Sequence, residues 1–346
     1  MSLAEVAKRA RVSPATVSRV LNNPPVVRSS TRARVMKAIA ELKYHPNLHA
    51  RTLAGGRSRT IGMIVSNMEN PFFFDIFRQL EADALAADLE VIVANTDYQP
   101  ERLVSSIRLM IGRRVAGLAV VVSEMHSDLI DELTESSIPV VFYDVGTARQ
   151  NITNIRVNYR NGIEKIVRYL HSLGHERMAF VGHHAFLGPT SERQISFSHA
   201  VACCSPPVGF RSVTHADGPE GGRLAIRELL AAGFEPTAIV CVNDFMAVGV
   251  LRELREQGLR IPQDVSVTGF DNIKLSEFCF PPLTTVHIPR QLIGHIAFEC
   301  LVPGRNSPRI RGRDIVIDPE LVVRESTGTA RQKGGCERLL QKSVTL

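Results

Sequence analysis

The chain has 346 residues, 44% of them hydrophobic, no tryptophan and a formal net charge of +6. It is too long for one ordinary core, and its longest clear apolar run, Val115 to Val122, is far too short to cross a bilayer; a membrane protein is thereby excluded and a small domain joined to a larger one is expected. The excess positive charge lies at one end: residues 1–60 carry 12 Lys and Arg against only Glu5 and Glu41, whereas the remainder is mildly acidic, the pattern of a module that meets a polyanion attached to a body that does not.

The first residues, with Glu5, Lys8 and Arg9, lack the continuous apolar stretch of a secretory signal, and a cytoplasmic location is expected. The six cysteines (Cys203, Cys204, Cys241, Cys279, Cys300, Cys336) show no C-x-x-C spacing and read as reduced thiols. Adjacent His183 and His184 are poorly arranged to share an ion, so no metal and no other cofactor is assigned. The chain contains no P-loop, G-x-S-x-G or H-E-x-x-H, and no catalytic residue or enzyme activity is expected.

Ser2-Leu3-Ala4-Glu5 is a capping box, which predicts a helix over Leu3–Ala10. Ser13-Pro14 offers a second cap followed by a proline at the first helical position. In the helix that starts there, Val17, Val20 and Leu21 bury one side and leave Pro14, Ala15, Ser18 and Arg19 toward solvent, until Asn22-Asn23-Pro24-Pro25 stops it. A third helix is expected from about Thr31 to Leu42 on the spacing of Val35, Ile39 and Leu42. Three helices with a short turn between the first two form a helix-turn-helix unit, whose second helix enters the major groove of DNA. Arg19 is suited to a bidentate contact with guanine and Ala15 to a thymine methyl, with Arg9, Arg11, Arg28, Arg32 and Arg34 serving phosphates.

Asn47 to Ala54, closed by Gly55-Gly56, is too short to be a stable helix by itself and should order only when something packs on it. From Thr60, short apolar runs alternate with longer amphipathic ones. The predicted strands are Ile61–Val65, Val91–Ala94, Leu118–Val122, Val140–Phe142, Met178–Val181, Ile239–Val242 and Val265–Gly269. The predicted helices are Phe73–Ala87, Glu101–Ile111, Gly162–Leu173, Leu224–Ala232 and Met246–Gln257. Such alternation implies parallel sheets with helices on both faces, and ligands at the carboxyl ends of strands. A break in it near Asn151 to Asn158 suggests two lobes with a cleft between them. At the strand ends, Phe72 and Phe73 either stack on a sugar or base ring or pack as core, and Asp144 either accepts two hydroxyl protons or is a turn residue. Asn243-Asp244 opens a helix, so capping accounts for at least one of the pair. Thr329 to Leu346 has no heptads and reads as a disordered end.

The run from Ser13 to Asn22 (SPATVSRVLN), then Thr31-Arg32 and Tyr44-His45-Pro46-Asn47, resembles the lactose-repressor (LacI/GalR) family, and the order of elements downstream extends the resemblance over roughly residues 2 to 328. The resemblance implies an N-terminal all-α helix-turn-helix domain at 1–45 and a hinge helix and linker at 46–59. The body, 60–328, would be α/β and periplasmic-binding-protein-like, with two doubly wound parallel-sheet lobes: an N-lobe of about 60–158 and 287–317 and a C-lobe of about 159–286 and 318–328.

It further implies a sequence-specific regulator, most commonly a repressor, that binds a palindromic double-stranded operator as a homodimer. DNA contacts would come from Ser13, Pro14, Ala15, Thr16, Ser18, Arg19, Asn22, Arg28 and Thr31, and from Asn47, His49, Arg51, Leu53 and Ala54 of the hinge, with Leu53 pushed between base steps of the minor groove. A small-molecule effector, a sugar or related metabolite, would sit between the lobes against Phe72, Phe73, Asp144, Arg193, Asn243 and Asp271. The Arg193 fork suits a carboxylate or vicinal hydroxyls, although a structural ion pair would use it equally well. A transport-type solute-binding protein would account for the body but not for the basic end. Two departures point to a reshaped pocket: Ser196 stands where the family usually has glycine, and the segment His215 to Gly222 is shorter than the family's and lacks its aromatic wall.

Overall fold

The computed structural model describes residues 2–22, 27–44, 58–122, 127–136, 138–144, 148–184, 189–302 and 312–331. The chain divides into two compact units, Met1–Ser58 and Arg59–Leu346. In the first, α1 (Leu3–Ala10) opens with the expected capping box: the Glu5 carboxylate accepts the Ser2 N–H at 2.7 Å and the Ser2 hydroxyl accepts the Glu5 N–H at 3.3 Å. Arg11, left-handed at φ 53°, turns the chain into α2 (Pro14–Asn22), and α3 (Ser29–Glu41) follows. Their facing sides form a small separate core of Val6, Ala7, Ala10, Val17, Val20, Val35, Ala38 and Tyr44. The third helix begins two residues before Thr31, because its first turn is polar and exposed and so leaves no mark in an apolar periodicity.

The body contains, in chain order, β1 (Thr60–Val65), α4 (Pro71–Ala86), β2 (Glu90–Asn95), α5 (Pro100–Gly112), β3 (Gly117–Val121), α6 (Ser127–Glu135), β4 (Val140–Tyr143) and β5 (Ile152–Val157). The chain continues through α7 (Tyr159–Ser172), β6 (Arg177–His183), α8 (Pro189–Ala202), β7 (Gly209–His215), α9 (Pro219–Ala231), β8 (Ala238–Cys241), α10 (Asp244–Glu256) and β9 (Ser266–Thr268). It ends with α11 (Leu275–Phe278), β10 (Thr285–His287), α12 (Arg290–Leu301), β11 (Asp314–Ile317) and β12 (Glu320–Val322).

One sheet has the order β11-β5-β4-β3-β1-β2 and the other β7-β6-β8-β9, with every pairing in both parallel; β10 and β12 form a small antiparallel pair. The period of two is visible along β1. Ile61, Met63 and Val65 enter a core shared by both lobes, while Ile64 faces a second core beneath α5 and α6. Gly62 lies on that second face, where a Cβ would press within 2.8 Å of Leu118.

The apparent break at Asn151 to Asn158 is itself a strand, β5, seated between β4 and β11. Its Thr153 and Asn154 are buried polar residues, which interrupt the apolar run that would have announced it. The lobes separate where the chain leaves β5 through Asn158, returns beyond β10 and crosses again after β11. These crossings are laced together, with the Asp318 carboxylate accepting from Asn158 at 2.8 Å and Asn161 at 3.3 Å. The expected disordered end starts too early at Thr329: the Ala330 N–H donates to the Leu173 carbonyl at 2.9 Å and Arg331 pairs with Glu235 at 3.3 Å. The remainder of that segment, 332–346, lies outside the described residues.

Candidate functional site

The helix-turn-helix unit divides its polar atoms between holding the fold and facing solvent. Ser13 is a cap, its hydroxyl accepting the Thr16 N–H at 3.2 Å and lying 2.9 Å from the Thr16 hydroxyl. Behind them Val17 and Val20 are buried, so Pro14, Ala15 and Arg19 stand exposed on the outer side of α2, with Thr16 and Ser18 half-buried beside them. Arg28 is exposed at the start of α3 and Thr31 is half-buried in its first turn. Asn22 ends α2, but its side chain lies outside the described residues, as do Asn47, His49, Arg51, Leu53 and Ala54. Arg9, expected at a phosphate, instead pairs with Glu41 at 2.5 Å and ties α1 to α3.

In the body, a cleft of about 400 Å³ opens between the carboxyl ends of the two sheets, at the positions where strand order reverses around β1 and β6. Asn70, Phe72 and Phe73 come from the β1–α4 connection, Tyr98 from beyond β2 and Tyr143 from the end of β4. From the other side come Tyr159 of α7, His183 at the end of β6, Arg193 of α8, Asn243 before α10, and Asp271 beyond β9. The Asn70 side chain caps α4 by accepting the Phe72 N–H at 3.0 Å, which fixes the two phenylalanines. Their rings meet edge to face at 5.4 Å, and Phe72 also touches Tyr143 at 5.6 Å. They are therefore both core and wall.

Arg193 is buried, with its guanidinium 4.8 Å from the Tyr159 ring centre, 5.3 Å from that of Phe270, and 3.5 Å from the Asp271 carboxylate. Burial pushes the Asp271 carboxyl up to about 7 even though Arg193 and Arg290 pull it down. Arg290 braces Asp271 from behind: it donates to the backbone carbonyls of Asp271 and Asn272, and to Asp75 of α4 at 2.9 Å. One side chain thus joins the effector-facing turn of the C-lobe to a helix of the N-lobe. Burial also lowers His183 to about 4, so its ring is neutral at pH 7; its Nε2 lies 2.8 Å from the Thr190 hydroxyl.

Asp144 departs from its expected place among the lining side chains. It stands behind Tyr159, in a left-handed turn at φ 61°, with one carboxylate oxygen accepting the Val157 N–H at 2.7 Å and the other the Tyr159 hydroxyl at 2.7 Å. Tyr143 and Tyr159 hydroxyls are 3.0 Å apart, so Asp144 orients a two-tyrosine chain that reaches the cleft. Desolvation raises this carboxyl to about 7. Of the six expected effector residues, five line the cleft and Asp144 supports it. Sequence reasoning misses Tyr98, Tyr143, Tyr159 and His183, although their positions at or just beyond strand ends are the available signal.

The chain belongs to the lacI family of bacterial regulatory proteins: the profile of that description matches residues 2–47, and one described as periplasmic binding protein-like domain matches 167–327. It is a transcription regulator with an N-terminal helix-turn-helix and a two-sheet binding-protein-like body. Among curated relatives it is 32% identical to the HTH-type transcriptional repressor PurR of Photobacterium profundum, over 94% of this chain and 98% of that one. Identity to the PurR of Vibrio campbellii is 34%, with the same two coverages. Among solved structures it is similar to the Lac repressor dimer bound to operator and the anti-inducer ONPF, with a TM-score of 0.80, 27% identity and 95% of this chain and 99% of that one covered. A LacI family transcriptional regulator from Silicibacter pomeroyi gives 0.83 at 25% identity, covering 96% and 100%.

Proposed function

We propose that this chain is a cytoplasmic repressor that binds a palindromic operator as a homodimer and is switched by a small polyhydroxylated metabolite, a sugar or its relative, held between the lobes without turnover. The observation that carries the reading is the outer side of α2, where Pro14, Ala15 and Arg19 are exposed while the opposite side is spent on core and the cap on holding the turn. A helix presenting unspent side chains from its N-terminal half is what major-groove reading needs. Asn47, His49, Arg51, Leu53 and Ala54 complete the proposed contacts, with Leu53 as the wedge.

Dimerisation is supported by Leu275, Phe278 and Phe280, large apolar side chains exposed together around α11, and by the likeness to a repressor solved as a dimer on its operator. The cleft supports a hydroxyl-rich ligand: a buried guanidinium, a carboxylate and an amide face aromatic walls in a space of small-metabolite size. A neutral His183 whose ring binds protons weakly at pH 7 is a poor general base, which favours binding over catalysis.

Selection of binding sites from a random pool of double-stranded DNA tests the reading. A short palindrome with a central pyrimidine–purine step is expected, and Leu53→Ala should weaken that site much more than unrelated DNA. Enrichment of no sequence, with binding that vanishes as salt rises, would sink it.

A further inference from the structure

The segment from His215 to Gly222, which is shorter than expected and has no aromatic wall, has an outcome that effector binding does not use. It places the Asp217 carboxylate across the mouth of the cleft. One oxygen accepts the Asn243 side-chain amide at 2.8 Å, within the C-lobe. The other accepts the Tyr98 hydroxyl at 2.8 Å and the Asn67 amide at 3.3 Å, both from N-lobe turns that follow β2 and β1. An ionised oxygen bonded by neutral donors makes charge-assisted hydrogen bonds, stronger than neutral ones, and the half-buried setting limits competition from water.

The turn that carries Asp217 is built with little tolerance. Gly218 is left-handed at φ 112°, with a Cβ there 3.2 Å from the Phe245 ring. Gly221 lies against the Ala216 carbonyl, Gly222 against that of Met246 and Gly249 against that of Pro219, none with room for a methyl group. On the C-lobe side Asn243 is equally fixed, its other side-chain atom capping α10 through the Met246 N–H at 2.7 Å. The Tyr98 ring is steadied by His183, whose ring centre is 5.3 Å away. Four strand-end turns, two from each lobe, therefore converge on one carboxylate.

We propose that Asp217 is an interlobe latch, which fastens the C-lobe to Tyr98 and Asn67 of the N-lobe and thereby sets how readily the effector cleft closes. The proposal rests on the cleft reading above, because closure matters to DNA binding only if the lobes carry the switch. An effector that bridges the lobes adds to an attraction already supplied by the chain, so the latch fixes the starting point of the population shift.

The test uses the full chain labelled with 3-fluorotyrosine, whose five tyrosines give five fluorine signals; Tyr98→Phe assigns one of them. Asp217→Ala is expected to move the Tyr98 signal toward its position in urea-unfolded protein while the Tyr44, Tyr143, Tyr159 and Tyr169 signals hold, which also reports that both units remain folded. The near-isosteric Asp217→Asn, which puts a donor opposite donors, should move it the same way and serves if the alanine variant does not fold. An unmoved Tyr98 signal overturns the latch.

The second readout is affinity for the selected operator. Asp217→Ala and Tyr98→Phe should each shift it in the same direction by roughly tenfold, the size of one charge-assisted hydrogen bond. The double variant should shift it no more than the larger single, since both remove one contact. Opposite or fully additive shifts overturn the link between latch and DNA binding. The fluorine spectrum judges the latch whether or not the chain selects a DNA site, so failure of the regulator reading is seen separately.

Discussion

The two units place function on opposite kinds of surface. In the helix-turn-helix unit the side chains proposed to read DNA are exposed and contribute nothing to its small core, which Val6, Val17, Val20 and Val35 hold from the other side. In the body the ligand-facing side chains are buried, bonded to one another and shifted in acidity, so that the cleft and the core share Phe72, Phe73, Tyr143 and Tyr159. A surface reader can change its specificity at little cost in stability, whereas the cleft cannot change its ligand without disturbing its own packing.

The largest expected effect follows from that difference. Arg193→Ala removes the guanidinium that faces Asp271 and lies over two aromatic rings, and leaving one partner of a buried pair alone costs about 3 kcal/mol. Urea unfolding of the body should register that loss together with loss of ligand binding. A variant as stable as the parent would show that the cleft is as independent of the core as the DNA-reading surface is. Arg19→Ala is the counterpart: operator affinity should fall by about 2 kcal/mol, the scale of one bidentate base contact, with unfolding unchanged within about 0.5 kcal/mol. Equal losses on operator and unrelated DNA, measured by anisotropy titration, would reduce Arg19 to a phosphate contact.

The same contrast decides what is legible in the sequence. The helix-turn-helix is set by local spacing: the Ser2–Glu5 box, the Ser13-Pro14 cap and the valines of α2 lie within a few residues of one another, and the helices form where expected. In the body, the strands buried as continuous apolar runs are readable. β5 is not, since Thr153 and Asn154 interrupt it, and neither is β7, an edge strand with Gly209, Phe210 and Arg211 exposed. The site is half readable. Arg193 and Asp271 are reached through family resemblance, but Tyr98, His183 and Asp217 meet only because turns about 30 to 120 residues apart converge, and no local pattern encodes that. Asp144 shows the converse: it sits at a strand end as expected, and its side chain supports Tyr159 instead of facing the cleft.

Acidity gives a smaller effect with two opposite signs. With Asp271 raised to about 7, the carboxyl is protonated in the folded body at pH 6 and ionised at pH 8. A folded-state value above the ordinary one stabilises below the ordinary value and loses that stabilisation as pH rises through about 7, so the body's melting temperature should fall from pH 5 to pH 8. Affinity for a hydroxylated ligand that donates to the ionised carboxylate should rise over the same interval, roughly tenfold between pH 6 and pH 8. Asp144, raised similarly, shares the stability slope only; Asp144→Asn should flatten the melting curve's pH dependence and leave that of affinity. Parallel trends in stability and affinity would remove Asp271 from ligand contact.

The smallest effect probes the one place where the contrast between the units fails. Ser13 is exposed, yet its hydroxyl is already engaged by the Thr16 N–H and hydroxyl, so it resembles a cleft residue more than its neighbours Pro14 and Ala15. If its work is capping, Ser13→Ala should destabilise the helix-turn-helix unit by about 1 kcal/mol, read as faster amide exchange in α2. Ser13→Asp, which keeps an acceptor at the cap, should restore the protection while placing a negative charge toward phosphates and weakening DNA binding. Ser13→Ala that keeps full protection in α2 but loses operator affinity would move Ser13 from the fold to the DNA-reading surface. The division between spent and unspent side chains on α2 would then have to be redrawn one residue earlier.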